Sequence, residues 1–172
     1  MQMAFPDLVS SAVAPSTAAW RDPLGLLLAS TGEGVFGVDL DGLCVFINRA
    51  GARMIGFEPA DLLGRNMHEL THHSHADGAA YPVETCPIFN AFRRGEPCRI
   101  DTEVFWRRDG SAFPVEYSSH PIIDGGEVRG AVVTFIDITE RRRAADALQA
   151  AKDELEHRVR DRTRDLETAL HQ

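Results

Sequence analysis

The stretch that most constrains the fold is residues 130–143, where a strand pattern runs directly into a helix pattern. Residues 131–136 are mostly β-branched or aromatic, which predicts a buried or half-buried strand. Asp137 and Thr139 follow at once, and either side chain can accept a hydrogen bond from a first-turn N–H of a helix. Residues 140–171 contain no glycine and no proline. The sequence therefore predicts a sheet strand joined rigidly to one long helix.

That predicted helix carries one narrow apolar stripe between charged faces. Residues 139–172 contain 8 acidic and 8 basic side chains, so the rest of the chain carries the whole net charge of −8. A helix with such a stripe cannot bury it alone and is expected to pair with its copy. A strict heptad repeat would place Lys152 and Arg162 in the seam, so the spacing indicates a local stutter. The stripe leaves parallel and antiparallel pairing open, and its predicted dimer contacts are Leu148, Leu155, Val159 and Leu166.

Composition and length argue against several classes of protein. A chain of 172 residues allows one ordinary domain with an appendage, and its negative charge argues against a nucleic-acid surface. Three cysteines without CxxC spacing argue against a secreted disulfide framework. No Lys or Arg precedes Arg21, which argues against a signal peptide, and no apolar run of about 18 residues predicts a membrane span. We therefore expect a cytoplasmic protein with no nucleic-acid and no membrane partner.

Upstream of the long helix, strand and turn signals alternate along the chain. The predicted strands are residues 35–40, 43–47, 99–107, 112–122 and 128–136. Asp41-Gly42 is expected to form a type I′ turn between the first two strands. The predicted short helices are residues 23–29 capped by Asp22, 48–56 with Asn48 as cap and Gly56 past the end, 59–65, 67–72 and 87–94. This order predicts five antiparallel strands with short helices inserted between the second and the third.

The order of elements over residues 34–140 resembles a PAS sensor domain. The most specific parts of the resemblance are the segments FWRRDGSAFPVEYSSHPI and DITERRR. It implies an α+β PAS fold, in which a five-stranded antiparallel sheet carries short helices on one face and a long coiled-coil helix follows. The implied division of the chain is a leader over residues 1–21, a PAS domain with its flanking helix over 22–138, and a signalling helix over 139–172.

The resemblance also implies a function. PAS domains followed by such a helix occur in bacterial sensor histidine kinases and diguanylate cyclases. We therefore expect a non-enzymatic sensory and dimerisation module that passes a signal through Asp137, Ile138 and Thr139 to an output domain absent from this chain. The alternative is a ligand-free PAS module that only binds other proteins. A cavity inside the core with convergent polar groups would favour sensing, and a filled core would favour the alternative.

Residues 68–72 match the HExxH pattern of zinc hydrolases, which places two imidazoles one helical turn apart with a glutamate as base. His73, His75 and Asp77 follow closely. Asp77-Gly78 and Pro82 end any helix soon afterwards, whereas a zinc hydrolase needs these residues in mid-helix. We interpret the histidines as a solvated loop or a pocket wall and assign no metal ligand. Metal binding by the cluster stays open, and a zinc metallohydrolase is a remote alternative.

The resemblance does not extend to a flavin site. Residues 64–67 resemble the GRNC motif of light-oxygen-voltage domains, the flavin-binding branch of the PAS family. Met67 stands where the photoreactive cysteine is expected, and a thioether cannot add to flavin as a thiolate does. Val115 and Tyr117 likewise replace the amide side chains expected to hold the ring.

A haem site and a defined ligand are not assigned either. The helix over residues 88–94 lacks the axial histidine typical of PAS haem sensors, and the dipeptide Cys86-Pro87 is too short a match to a haem-regulatory motif. The cofactor is therefore left unknown, with a small ligand as a possible partner. The residues predicted to line a ligand cleft against the sheet are Met67, His72, Phe89, Phe92, Trp106 and Tyr117.

Overall fold

The computed structural model describes residues 23–170, in which five strands and six α-helices form. The predicted leader over residues 1–21 and the predicted cap Asp22 lie outside the described residues. The strands are β1 (Gly34–Asp39), β2 (Cys44–Ile47), β3 (Cys98–Trp106), β4 (Ala112–Asp124) and β5 (Glu127–Asp137). The helices are α1 (Pro23–Ser30), α2 (Arg49–Ile55), α3 (Pro59–Leu62), α4 (Met67–Thr71), α5 (Pro87–Arg94) and α6 (Thr139–Leu170). A single 3₁₀ turn covers Val83–Thr85.

The sheet has the order β2-β1-β5-β4-β3, and each pair of neighbours is antiparallel. β5 therefore lies at the centre, paired along its length with β1 on one side and β4 on the other. Gly130 is required where β5 meets β1, because a Cβ at this position would lie 2.0 Å from the carbonyl oxygen of Val38. The predicted five-stranded antiparallel sheet, its inserted short helices and the long final helix are confirmed.

The hydrophobic core lies between this sheet and the inserted helices. α2 packs on β1, α4 on β3, and α5 on β4 and β5. The largest fully buried side chains are aromatic: Phe92 comes from α5, and the others come from four of the five strands and are Phe36, Phe105, Phe113, Tyr117 and Phe135. Burial of these rings is the main contribution to stability, because each removes a large apolar area from water.

Asn48 joins three parts of the domain. Its Oδ1 accepts from the backbone N–H of Gly51, which caps α2, and from that of Val35 in β1. Its Nδ2 donates to the carbonyl oxygens of Leu28 and Glu33, at 2.9 Å each. The predicted cap is therefore confirmed, and the same side chain also fixes the segment between α1 and β1.

The turn between β1 and β2 differs from the prediction. A type I′ turn needs positive φ at both central residues, but among residues 23–170 only glycines have positive φ, so Asp41 does not. The Asp39 carboxylate instead accepts hydrogen bonds from the N–H groups of Asp41 and Leu43, at 3.0 and 2.9 Å. The backbone turn is nevertheless present, because the N–H of Gly42 donates to the carbonyl of Asp39 over 3.1 Å, and within it Gly42 supplies the single positive φ of 76°.

Helix α3 is shorter than predicted. It ends at Leu62, whereas the sequence predicts a helix that continues to Arg65. The backbone N–H of Gly64 donates to the carbonyl of Cys44, and the carbonyl of Arg65 accepts from the N–H of Cys44. Residues 64–65 therefore pair with β2 and cannot continue the helix.

No helix among residues 23–170 is both long and apolar enough to cross a membrane.

Candidate functional site

A small cavity of about 20 Å³ lies inside the domain between α4, α5 and β1. Its polar walls come from His68, His72 and Cys86, and its apolar walls include Met67, Phe89 and Phe92. A volume of this size holds about one water molecule or one ion. It is far smaller than the several hundred Å³ typical of sites for organic ligands.

A half-buried carboxylate, that of Glu103 in β3, organises the polar side of this region. Tyr81 donates its hydroxyl hydrogen to Oε1 over 2.7 Å, and Tyr117 donates to Oε2 over 2.6 Å. His72 Nε2 also lies 2.9 Å from Oε2, but the N–H···O angle is too far from linear for a well-formed hydrogen bond. Three side chains distant in sequence thus converge on one carboxylate.

These contacts set the ionisation of the network. Burial alone would raise the pKa of Glu103, but the contacts with His72, Tyr117 and Tyr81 outweigh it and lower that pKa to about 2. Burial and the adjacent carboxylate raise the pKa of both tyrosines, so both hydroxyls stay protonated as donors. The network therefore holds a fixed negative charge next to the ring of His72.

Two histidines and a cysteine meet next to this charge. His72 Nδ1 lies 3.3 Å from Cys86 Sγ, on the side of the ring opposite Glu103. His68 Nε2 contacts the carbonyl oxygen of Tyr81 at 2.8 Å, and its Nδ1 is buried without a hydrogen-bond partner. One donor atom from each of these three residues lies within 4.8 Å of the others. Burial lowers the pKa of His68 and raises that of Cys86 to about 11, so both groups favour their neutral forms.

A groove leads from solvent to the same network. It has a volume of about 380 Å³ and is lined by His72, Tyr81 and Glu103, together with the loop residues His75 and Asp77. His75 stacks on Tyr81 with ring centroids 4.0 Å apart. The charged side of the buried network is therefore accessible, while the cavity on its other side is mainly apolar.

The structure places the predicted ligand-binding residues in two groups. Met67, His72, Phe89 and Phe92 line the small cavity, and Tyr117 reaches the same network through Glu103. Trp106 lies elsewhere, because its indole N–H donates to the carbonyl of Ser74 over 2.8 Å and its ring stacks on His73. Trp106 therefore holds the histidine-rich loop in place and does not line the cavity.

Sequence reasoning missed His68, Tyr81, Cys86 and Glu103 as members of one site. A signal for Glu103 was present, because it shares the inward phase of the buried Phe105 two residues later in β3. A charged residue on that phase indicates a buried partner. The convergence of α4, the start of α5 and β3 is tertiary and has no local signal.

The HExxH pattern does not form a hydrolase-like site. α4 has five residues, and Glu69 is exposed, so the glutamate of the pattern does not face the two histidines. The carboxylate beside His72 belongs instead to Glu103 of β3. The arrangement thus lacks the helix-borne general base of a zinc hydrolase.

The junction between sheet and long helix is the second candidate site. β5 ends at Asp137 and α6 begins at Thr139, so Ile138, which is 3% exposed, is the single residue between them. Asp137 Oδ1 accepts from the N–H of Thr139 over 2.8 Å, which makes Asp137 the side chain that caps the helix. Asp137 Oδ2 accepts from Arg107, which directly follows β3, over 2.6 Å, and Arg107 also donates to the carbonyl of Met54. The three predicted transmission residues are therefore packed and hydrogen bonded.

Beyond its first turn, α6 has no buried residue. Arg141 contacts Glu116 of β4 at 2.6 Å, and Arg142 donates to the carbonyl of Asp101. The predicted dimer contacts are all exposed, by 73, 62, 57 and 65% for Leu148, Leu155, Val159 and Leu166. A stripe of apolar side chains thus faces solvent along a helix that is anchored at one end.

Comparisons with known proteins place this architecture. A family profile described as the PAS fold matches residues 24–138. The chain is 32% identical over 118 residues to the C4-dicarboxylate transport sensor protein DctS of Rhodobacter capsulatus, covering 67% of this chain and 17% of that protein. It is 26% identical over 144 residues to the probable diguanylate cyclase DgcE of Escherichia coli K12, covering 80% of this chain and 12% of that protein. Among solved structures, an RNA-binding light-oxygen-voltage receptor is similar with a TM-score of 0.63 and 26% identity, over 84% of this chain and 40% of that one. The chain thus spans less than a fifth of the curated relatives that it matches.

Proposed function

Because this chain belongs to the PAS family, we propose that residues 22–138 form a sensory module that transmits a signal through α6, paired with its copy, to an output domain. The output domain would be a histidine kinase or a diguanylate cyclase, and the module itself would not be an enzyme. We propose a cytoplasmic location, which is supported by three cysteines that form no disulfide.

The observation that carries the proposal is the direct connection of the central strand to the exposed helix. Ile138 directly follows β5, and its N–H donates to the carbonyl of Pro114 in β4 over 3.0 Å. A shift of β5 relative to β4 must therefore change the position of Ile138. Arg107, the residue after β3, holds the cap Asp137 at the same place. A change in the packed interior can therefore reach α6 without crossing a flexible linker.

The exposed stripe of α6 supports pairing between two copies. Four large apolar side chains at more than half exposure are costly in water, and a second identical stripe would cover them. The nearly neutral helix adds little net repulsion to such a pair. The stutter between Leu155 and Leu166 provides a place where two registers could have similar free energies.

The output partner is inferred from the relatives. The chain resembles one segment of a sensor protein and one segment of a probable diguanylate cyclase, and it covers 17% and 12% of their lengths. Both are much longer than this segment, which fits a PAS unit followed by other domains. The comparison thus favours a module that serves an output domain over one that acts alone.

The experiment that tests the proposal is the molar mass in solution by light scattering. The wild-type chain is expected at twice its 19.0 kDa mass, and the double variant Leu155→Glu with Val159→Glu is expected to be monomeric. Ala150→Glu is the matched control, because Ala150 is exposed on the opposite face, about 140° from Leu155 around the helix. A monomeric wild-type chain, or a dimer in the double variant, would contradict the proposal.

One observation favours the alternative of a ligand-free interaction module. The cavity of about 20 Å³ leaves no room for an organic cofactor of flavin or haem size. Its walls are nevertheless partly polar, with His68, His72 and Cys86 facing one another. The cavity is thus small but chemically distinct from a filled apolar core. Any ligand inside it would be no larger than a single ion or water molecule.

A further inference from the structure

We propose that His68, His72 and Cys86 bind a divalent transition-metal ion of the zinc class inside the domain. The inference rests on the sensory role proposed above, because it names the ligand of that module. It concerns metal binding and not hydrolysis, since Glu69 faces away from the site.

The donor set carries the proposal. Two imidazoles and one thiolate are the ligands that zinc prefers, and a tetrahedral site leaves a fourth position for water or another donor. All three side chains line the cavity of about 20 Å³, which has room for one ion. Their donor atoms lie within 4.8 Å of one another, and the pair His72 Nδ1 and Cys86 Sγ is already at 3.3 Å. Roughly 3.3–3.6 Å separates two such ligands in a tetrahedral zinc site, so closing the widest gap needs a shift of about 1 Å.

The surroundings of each histidine orient it as a metal ligand. A ligating imidazole usually donates its second N–H to a carbonyl or carboxylate oxygen, which fixes the tautomer and turns the free lone pair toward the metal. His68 has the carbonyl of Tyr81 at Nε2, and its Nδ1 is buried and unpartnered. His72 has the Glu103 carboxylate beside Nε2 and Cys86 beside Nδ1. His68 therefore has the free nitrogen and the outer support that a metal site requires, and a rotation of the His72 ring would align its Nε2–H with Glu103 while Nδ1 stays beside Cys86.

Charge balance favours a divalent cation. The Glu103 carboxylate lies 2.9 Å from His72 Nε2, and a bound Cys86 thiolate would add a second negative charge at the other nitrogen of the same ring. Two negative charges in a buried region are costly unless a cation compensates them. A divalent ion does so, and its binding would release the proton of Cys86 to solvent.

A metal ligand explains Cys86 better than a redox role does. Its side chain is 2% exposed and its sulfur lies 3.3 Å from His72 Nδ1, so the sulfur is shielded from oxidants and thiols in solution. The cysteine lies directly before α5, while the two histidines lie on α4 and at its end. A bound ion would thus join α4 to α5 beside β3. The groove of about 380 Å³ brings solvent to the opposite side of His72, beside Glu103.

The test uses the full chain, treated with a chelator, desalted and supplied with zinc alone. Elemental analysis after a second desalting is expected to give one zinc per chain. Cobalt(II) in place of zinc is expected to give the intense thiolate-to-metal band and the visible spectrum of a tetrahedral site. His68→Gln and Cys86→Ser are each expected to weaken zinc binding at least tenfold, and Glu103→Gln by about tenfold through the orientation of His72.

The matched controls are neighbours of the same residue types. His73→Gln alters an exposed histidine beside His72, and Cys98→Ser alters a half-buried cysteine outside the cluster, so both are expected to keep wild-type affinity. Circular dichroism of each metal-free variant checks that it folds. The inference is overturned if wild-type protein retains no more zinc than Cys86→Ser, if the controls lose binding equally, or if cobalt gives no thiolate band. The last readout needs no variant.

Light scattering on the same samples separates this inference from the proposed function. A dimer that binds no zinc would overturn the metal site and leave the signalling proposal standing. A monomer that binds one zinc would overturn the proposed dimeric signalling module and leave the metal site standing. A zinc-dependent change in molar mass or helix content would support both.

Discussion

At the scale of single residues, Arg107 does the most to connect distant parts of the chain. Its guanidinium donates to the carbonyl of Met54 after 53 residues of separation and contacts Asp137 after 30. It also lies 4.1 Å above the ring of Phe113, where cation–π attraction adds to the hydrogen bonds. One side chain thereby joins α2, β3, β4 and the cap of α6.

Arg107→Ala is expected to lower the free energy of unfolding by about 2 kcal/mol, because it leaves a half-buried carboxylate and a carbonyl without their donor. Arg107→Lys should restore part of this, since an ammonium keeps the charge but not the planar fork of donors. Urea unfolding at neutral pH measures the change.

The neighbouring Arg108 provides the control for that experiment. Arg108 is 61% exposed, and its ion pair with Asp61 is long at 3.6 Å. Arg108→Ala should therefore change the free energy of unfolding by less than about 0.5 kcal/mol. Equal effects of the two substitutions would show that Arg107 has no special structural role.

At the scale of elements, the first turn of α6 is held to the sheet by charged contacts. Glu116 of β4 pairs with Arg99 of β3 and with Arg141 of α6, and both contacts lower the pKa of Glu116 from its ordinary value of 4.5. A lowered pKa in the folded state gives stability that is present above pH 4.5 and is lost as pH falls below it. The attachment of α6 is thus pH dependent on the acid side.

Glu116→Gln is expected to reduce stability at pH 7 and to reduce it less as pH falls below 4.5, so the two unfolding curves should converge in acid. The measurement is urea unfolding of both proteins across that range, with thermal unfolding as a check. Glu140→Gln is the control, because Glu140 is 87% exposed and pairs only within α6 among the described contacts. A difference between wild type and Glu116→Gln that stays constant with pH would refute the assignment.

The helices and strands whose ends depend on residues close in sequence could be predicted, and those that depend on more distant contacts could not. Asn48, Gly56 and the helix Pro87–Arg94 closed by Gly95 were predicted because caps and breakers act within a few residues. The type I′ geometry predicted at Asp41-Gly42 was wrong because only Gly42 has a positive φ, and the Asp39 carboxylate also accepts from the N–H groups of Asp41 and Leu43, which a dipeptide pattern does not register. Local chemistry thus predicted the elements but not every connection.

The candidate site was less predictable for the same reason. His72 and Met67 were identified from local patterns, whereas Glu103 meets His72 only after β3 has paired with β4 across an irregular register between Ile100 and Glu103. Trp106 was assigned to the ligand cleft by residue type, but its indole N–H bonds to Ser74, 32 residues away in sequence. Side-chain direction in these strands depends on register, and register is a tertiary property.

At the scale of the whole molecule, the domain and α6 beyond its first turn are expected to be independent in stability. Among residues 144–170, truncation after Arg143 removes no buried residue but removes the exposed stripe. The truncated chain should therefore keep the thermal unfolding midpoint of the domain at low concentration, while the concentration dependence of the full chain disappears.

Truncation after Thr139 is the matching control for that prediction. It also removes Arg141 and Arg142, which contact Glu116 and Asp101, and should lower the midpoint. Thermal scans at several protein concentrations measure both effects. A large loss of stability on truncation after Arg143 would show that the outer helix folds back onto its own domain.

The length of α6 has a mechanical consequence. Its 32 residues correspond to about 48 Å at 1.5 Å per residue, and its attachment lies within the first turn. A tilt of about 5° at that pivot displaces the far end by roughly 4 Å, as simple leverage on a rod of that length. A shift of about 1 Å on binding of the proposed ion could in this way become a movement as large as a side chain at the far end of α6.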